Sequence, residues 1–476
     1  MIRAYLACLT IVLAGCTAIA PLGGYTFDLA DGGRDAGQSE DDGGPRDSGS
    51  DAAKDSGPDD GGTDGGPMCS EPCAEPKPHC DLAADDCVEC LVAEHCDDGD
   101  LCTVDRCELD GTCSSTLDTS CIAMIDAGRE HTCAVRSTGQ LYCWGNNTYG
   151  QIGNGESGGG MYRTRAVAVV SITDATAIGG GFNHTCAVRR DGGVWCWGAN
   201  GYGQLGNGST APSATPVAVS GLTGISRVAV GHNHTCAVGS GAIWCWGRNY
   251  DGQLGTGTNT DASTGQLVAG LTDAIEVSAG SAHTCALRMD ATVACWGSND
   301  SGQLGDGSMD DSSLPVGVPG LSEVQHIAAG DSTTCALRTG GEVLCWGDNS
   351  YGQLADGSTV PSASPIPVPA LSDIVALSVG SHICAVSASD PLLCWGNGTF
   401  GQLGNGLSGS SATTSVPTPV SGLTGAVAIS VGGTHTCATS SSGEAYCWGR
   451  SSVGQVGDGS SGTTANRTTP VTVSGL

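Results

Sequence analysis

The sequence predicts an all-β chain: a seven-bladed β-propeller with four-stranded blades, preceded by a disordered linker and a small disulfide-rich module. Three observations lead there. Cys-Trp-Gly occurs seven times, its tryptophan at 144, 197, 246, 296, 346, 395 and 448, and repeats of about 50 residues belong to propellers and solenoids. Glycine is abundant (77 residues) while phenylalanine (3) and charged residues (14%) are scarce, which suits short strands and tight turns rather than long amphipathic helices. No repeat shows the 3.6-residue apolar period that a helical solenoid needs.

Within residues 122–476 each unit runs in one order. A Pro-Val strand leads through Gly-Leu to a strand ending in glycine. His-Thr-Cys-Ala-Val, a turn and an apolar strand ending in Cys-Trp-Gly follow, and then a Gly-Gln-Leu-Gly loop. Four short strands per unit make a blade. Thr469–Leu476 matches the strand that opens the other units, whereas the first copy, Ile122–Gly128, lacks that strand. The C-terminal strand is therefore expected to complete the first blade and close the ring, which removes any free sheet edge and suits a monomer.

The repeats carry seven cysteine pairs: Cys133 and Cys143, Cys186 and Cys196, Cys236 and Cys245, Cys285 and Cys295, Cys335 and Cys345, Cys384 and Cys394, Cys437 and Cys447. In the first, the midpoint falls inside the turn Ser137-Thr138-Gly139, so Cys133 lies opposite Cys143 and Val135 opposite Leu141. A non-hydrogen-bonded antiparallel pair brings Cα atoms to about 4.5 Å, within disulfide range. The third copy is one residue shorter, yet a two-residue turn at Ser240-Gly241 restores the opposition of Cys236 and Cys245. Metal ligands need no such register; cross-strand disulfides do. The histidines at 131, 184, 234, 283, 382 and 435 share a strand face with the first cysteine of each pair. Oxidised cysteines cannot ligate zinc, so these histidines and the repeated tryptophans are assigned to packing. No metal and no cofactor is expected.

The N-terminus reads MIRAYLACLTIVLAGCTAIA: one arginine, an apolar run, then Leu13-Ala14-Gly15-Cys16. Residues 1–16 resemble a lipoprotein signal peptide whose lipobox places a lipid on Cys16, and Thr17 after it is the pattern of outer-membrane sorting. The expected location is thus outside the cytoplasm, on the outer membrane, facing the periplasm or the cell surface. Residues 17–67 are dominated by Asp and Gly and cannot bury enough apolar area to offset chain entropy; they are expected to form a disordered tether. Residues 68–121 hold ten cysteines. A segment that short folds by being stapled, and in an oxidising compartment the bonds are disulfides. Their connectivity cannot be read from spacing. Part of this module, CDDGDLCTVDRC, resembles the short cysteine-rich repeats of slime-mould and myxobacterial surface proteins. Asp97, Asp98 and Asp100 within it suit a solvated acidic loop better than a calcium site.

The propeller repeat also carries a family resemblance. Gly-x-x-His-Thr-x-Ala-Val followed by Trp-Gly-x-Asn-x-x-Gly-Gln-Leu-Gly-x-Gly resembles the regulator-of-chromosome-condensation repeat, in all seven copies. Departures are single: Thr333 for the histidine, Ala355 for a glycine, Gly398 and Ser452 for the asparagine. The resemblance implies a seven-bladed propeller. It also implies nucleotide exchange on a small GTPase and nucleosome docking, which other observations oppose. The net charge is −31, the wrong sign for phosphate, and no insertion resembles a GTPase-engaging wedge.

No nucleophile elbow, phosphate loop or zincin motif occurs, and fold does not carry function. The expected function is recognition: an envelope-anchored scaffold, not an enzyme, that binds a protein or glycan through loops on one propeller face. The least repetitive loops, Met161-Tyr162-Arg163 and Met309-Asp310-Asp311, are the candidate contacts. The alternative is a lyase or hydrolase with its site at the mouth of the shaft, which would need acid–base residues that break the repeat there.

Overall fold

The computed structural model describes residues 102–108, 112–369, 371–389 and 391–476, together with 79–81, 86–88, 96, 98 and 100. Cys16, the segment 17–67 and much of the cysteine-rich module lie outside the described residues. The chain forms two compact units, divided within the cysteine-rich module. In the smaller unit, His79–Asp81 pairs antiparallel with Asp86–Val88, placing Cys80 opposite Cys87, and Cys96 is bonded to Cys113. In the larger unit Cys102 is bonded to Cys121. There Asp98 accepts hydrogen bonds from the Asp100 amide and from Thr103 and Ser115, so its carboxylate shapes its own loop.

Residues 122–476 form seven four-stranded antiparallel sheets, each built from strands consecutive in the chain. The first blade is Ile122–Ala127, His131–Arg136, Leu141–Asn146 and Tyr162–Ala168; the seventh is Ala426–Val431, His435–Ser440, Ala445–Gly449 and Arg467–Thr472. The only helical turn among the described residues of the propeller is Ser410–Ala412. The C-terminal strand is thus the outer strand of the seventh blade and does not complete the first, which corrects the expected closure. The repeat begins one strand later than its sequence phase suggests. The Pro-Val strand reaches back across a long loop to pair with the Cys-Trp-Gly strand before it, as Val167 does with Cys143, so the first copy lacks nothing.

The ring closes through side chains. Ile125, Ala134 and Trp144 of the first blade pack with Cys437, Cys447 and Val456 of the seventh. Beyond the last strand, the Ala166 amide donates to the Ser474 carbonyl at 3.0 Å. Equivalent clusters fill the other seams, so the core is distributed between blades, with a tryptophan buried in each. Burying a tryptophan or leucine against a neighbouring blade stabilises by roughly 2–3 kcal/mol. That is how blades this poor in phenylalanine hold together.

The hairpin register sets the cysteines facing each other. Cys133 opposes Cys143 and Val135 opposes Leu141. All seven pairs are bonded, with Cα–Cα distances of 4.0–4.2 Å. In the third hairpin Gly239 pairs with Ala242, and Ser240 and Gly241 both take positive φ, 49° and 83°, the two-residue turn that right-twisted strands favour. The asparagine of the third-strand loop is Asn147 in the first blade: its Oδ1 accepts from the Ile152 amide and its Nδ2 donates to the Glu156 carbonyl. Asn200, Asn249, Asn299 and Asn349 repeat this clasp. In the seventh blade the equivalent residue is the buried Ser451, not Ser452.

Candidate functional site

The antiparallel order puts two sets of loops on one end of every blade. The short link after the inner strand and the long link after Cys-Trp-Gly form the loop face, and the hairpin turns lie on the opposite, turn face. The chain enters on the turn face, where Ser137 binds the Asp118 and Cys121 carbonyls and the Ile122 amide donates to Gly443. The loop face is therefore the end remote from chain entry.

Beneath that face a polar ring locks the blades. Each tryptophan Nε1 donates to the carbonyl of the glutamine in the preceding blade, as Trp197 does to Gln151 at 2.9 Å, and Trp144 to Gln455 across the closure. The threonine of His-Thr-Cys donates to the same carbonyl, Thr185 at 2.8 Å. A carbonyl only accepts, so the threonine proton is committed and its oxygen accepts from the histidine of the preceding blade. His131 Nε2 lies 2.8 Å from Thr185 Oγ1, and His435 Nε2 lies 2.7 Å from Thr132 Oγ1. The histidines thus bond the next blade rather than their own. Each carries its proton on Nε2, and each Nδ1 is buried without a partner. Burial pushes all six down, to about 4 for His131 and His283 and about 3 for His184, His234, His382 and His435. The Gly-x-x-His spacing follows from the same packing: a Cβ on Gly128 would stand 2.5 Å from His131 Cε1.

One seam differs. Thr333 replaces the histidine of the fifth blade and Ile383 replaces the threonine of the sixth that would have bonded it. The two departures meet at a single contact, so no polar group is stranded: Thr333 donates to the Asp348 carbonyl instead. On the inner strands nearby, His326 spans this seam. Its Nδ1 lies 2.7 Å from Glu276 Oε1 in the fourth blade, and its Nε2 is 3.3 Å from the Leu377 carbonyl in the sixth. Burial opposes charge on His326, but Glu276 and the Leu377 carbonyl outweigh it and raise its pKa.

The axial shaft opens on the loop face. It encloses about 80 Å³ lined by glycine, alanine and valine of the inner strands and by Arg129, His232, Ser281 and Asp331. Asp126, on the inner strand of the first blade, has its pKa pushed up to about 6 by burial against the hydrogen bonds from Gly180 and Ser430. At the mouth, the residue after each inner-strand glycine differs in nearly every blade: Arg129, Phe182, His232, Ser281, Asp331, Ser381 and Gly433. They touch in series. The Arg129 guanidinium lies 4.0 Å above the Phe182 ring, and Phe182 meets His232 edge-on at 5.0 Å. His232 Nε2 is 3.0 Å from Ser281 Oγ and 3.3 Å from Asp331 Oδ1, and Ser281 donates to Asp331 at 3.2 Å. Burial would raise Asp331, yet His232, Ser281 and, at longer range, Arg129 hold it below the usual carboxylate range. Ser281, His232 and Asp331 do not form a nucleophile relay, because serine and aspartate crowd the same imidazole nitrogen. A relay needs the acid on the other one.

The candidate loops of the sequence also reach this face. Tyr162 is exposed, and Arg163 is held by an ion pair with Glu156. Met161 ties the loop through its carbonyl, which accepts from the Asn147 amide. Met309 is exposed. Asp310 and Asp311 are exposed but tied to the loop: the Asp311 carboxylate accepts from the Asn299 amide at 2.6 Å and the Asp310 backbone carbonyl from Asn299 Nδ2. Among the described residues every exposed tyrosine lies here: Tyr149, Tyr162, Tyr202, Tyr250 and Tyr351. Tyr202 and Tyr250 flank Arg248 above a cleft with Asn259 and Asp261. Sequence inspection passed over the mouth residues because it followed what repeats. The position between the fixed glycine and the fixed histidine, where the copies disagree, was the available signal. Among the described residues no group of three or more His, Cys, Asp or Glu side chains is placed to hold a metal ion.

Comparison with known proteins agrees with this architecture. The RCC1-like domain model matches residues 163–476, and the regulator of chromosome condensation (RCC1) repeat model matches residues 122–151. The ultraviolet-B receptor UVR8 of Arabidopsis thaliana is 34% identical over 96 residues, 20% of this chain and 22% of UVR8. The probable E3 ubiquitin-protein ligase HERC6 of Homo sapiens is 32% identical over 97 residues, 20% of this chain and 10% of that protein. The matches therefore span about a fifth or less of those relatives. Among solved structures, human WBSCR16 superposes with a TM-score of 0.63 at 20% identity, covering 71% of this chain and 94% of its own. Prp20p of Saccharomyces cerevisiae, described with its binding to Gsp1p and histones, gives 0.61 at 21%, covering 72% and 87%. With the repeat ring, the seven blades and the matched domain in agreement, the chain belongs to the RCC1-like domain family.

Proposed function

We propose that this protein is an exported scaffold, attached to the outer membrane through a lipid on Cys16, that recognises a protein partner with the loop face of its propeller. The segment 17–67 serves as a spacer between anchor and propeller. One observation carries the choice of face: all exposed tyrosines of the described residues stand on it, Tyr250 at 73% exposure, accompanied by Met309, Val360 and Leu407. Tyrosine, methionine and arginine are the residues that anchor protein interfaces. They stand here on loops clasped by Asn147 and its equivalents, so little order has to be gained on binding. The likeness to proteins whose propellers meet other proteins supports the reading at the level of scaffold.

The test replaces Tyr149, Tyr202, Tyr250 and Tyr351 together by serine. Residues 122–476 contain no lysine, so crosslinking on intact cells requires a photoreactive or carboxyl-directed reagent. The variant is expected to keep the parent melting temperature and to lose the protease-sensitive crosslinked species that the parent yields. An unchanged crosslinking pattern would sink the assignment of the face. A parent adduct sensitive to glycosidases but not to proteases would make the ligand a glycan.

A further inference from the structure

We propose that the mouth of the shaft is a carboxylate site: Arg129, seated on Phe182, receives a carboxylate that the partner presents on the axis of the ring. The partner is that of the loop-face reading, on which this rests, but the site is argued from its own geometry.

At the mouth, charge pairing singles out Arg129. Six arginines reach the loop face, and Arg165 of the outer strand, its guanidinium against Gly459, is the other one without an ion pair among the described residues. Arg163 pairs with Glu156, Arg248 with Asp251, Arg450 with Glu130, and Arg467 with Asp458. Arg129 has no ion pair among the described residues; its guanidinium lies on the face of Phe182. In a propeller where carboxylates outnumber arginines, an unpaired guanidinium is not for want of acids. It is held beyond ion-pair distance of them, Asp331 included. The fold also fixes its direction. The Arg129 stem packs where a Cβ on Gly433 would come within 2.8 Å of its Cγ, and the ring stacks beneath the guanidinium. A guanidinium restrained in this way loses little freedom when a planar carboxylate takes two of its N–H groups.

The opposite wall selects among anions. Asp331 is half-exposed across the mouth, kept ionised by His232 and Ser281. Its charge is partly met there, so it adds no demand for a cation, but it opposes a second negative charge on the ligand. A monoanionic carboxylate fits and a phosphate dianion does not. The room between them and the inner strands, about 80 Å³, accepts a headgroup of a few atoms rather than a sugar ring.

An acidic side chain and a chain terminus offer the same group, and two probes separate them. The full-length protein is titrated with N-acetyl-aspartic acid amide and with N-acetylglycine, following the Nε–H resonance of Arg129, assigned by its loss in Arg129→Lys. Inorganic phosphate and methylammonium serve as comparisons. A saturable shift with one carboxylate is expected, weaker by about tenfold or more with phosphate and absent with methylammonium. The probe that binds more tightly names the source. Arg129→Gln, at an exposed position, is expected to melt with the parent and to lose the binding, read on the Phe182 ring protons. No saturable shift with either carboxylate, equal or tighter binding of phosphate, or undiminished binding by Arg129→Gln would each overturn the proposal. None of these results needs the partner, so failure here leaves the tyrosine test standing, and the reverse holds as well.

Discussion

Acidification from pH 7 is expected to unfold the propeller with a midpoint of about pH 5, taking up several protons per chain. The six seam histidines are neutral in the fold, with pKa values of about 3 to 4 against 6.5 when exposed. Below pH 6.5 the unfolded chain binds protons that the folded chain refuses. The stability these residues contribute is complete above that pH and lost as pH falls towards their folded values. Each proton of difference changes stability by about 1.4 kcal/mol per pH unit, so six together approach about 8. Asp126 works the other way, because its raised pKa of about 6 lets the folded state hold one proton that the unfolded state has lost. It offsets at most one of the six. His326, whose pKa is raised in the fold, also works the other way: its contribution is complete below pH 6.5 and lost as pH rises through its folded value. Denaturant midpoints measured from pH 7 to 4 give the slope directly, and a flat profile would contradict the neutral ring.

The second large effect concerns the disulfides. All fourteen propeller cysteines are fully buried, and each bridge closes a loop of nine or ten residues. Removing one bridge by a paired Cys→Ala replacement is expected to lower stability by about 2–3 kcal/mol, and unfolding in reductant should lower it far more. Burial adds a kinetic expectation. Reductant should leave the bridges intact until the blades open, so mass shifts after alkylation should appear only together with unfolding. Unreduced protein that yields free propeller thiols would contradict the cross-strand bridges.

Repetition made the framework legible and hid the rest. Seven copies of Cys-Trp-Gly gave the blade count, and the missing residue between Cys236 and Cys245 gave the hairpin register, because a turn tolerates only certain lengths. Strand phase was not legible. A Pro-Val strand separated from Cys143 by the loop 147–161 looks like the start of the next unit, and only hydrogen bonding assigns it to the previous one. The partner of His131 was equally hidden, since Thr185 lies 54 positions away, and the joint departure of Thr333 and Ile383 reads as two unrelated changes until the seam is seen. The proposed contacts fall where the copies diverge: the mouth residues from Arg129 to Asp331 come together only on the axis.

The division between a fixed framework and a recognising loop face is tested most directly by comparing the two ends of the ring. A photo-crosslinking residue is placed at Tyr250 on the loop face and, in a second protein, at the equally exposed Met289 on the turn face. Both are irradiated on cells that make the protein. A discrete adduct from position 250 and none from position 289 is the expected result. The same adducts from both positions, or an adduct from 289 alone, would contradict it.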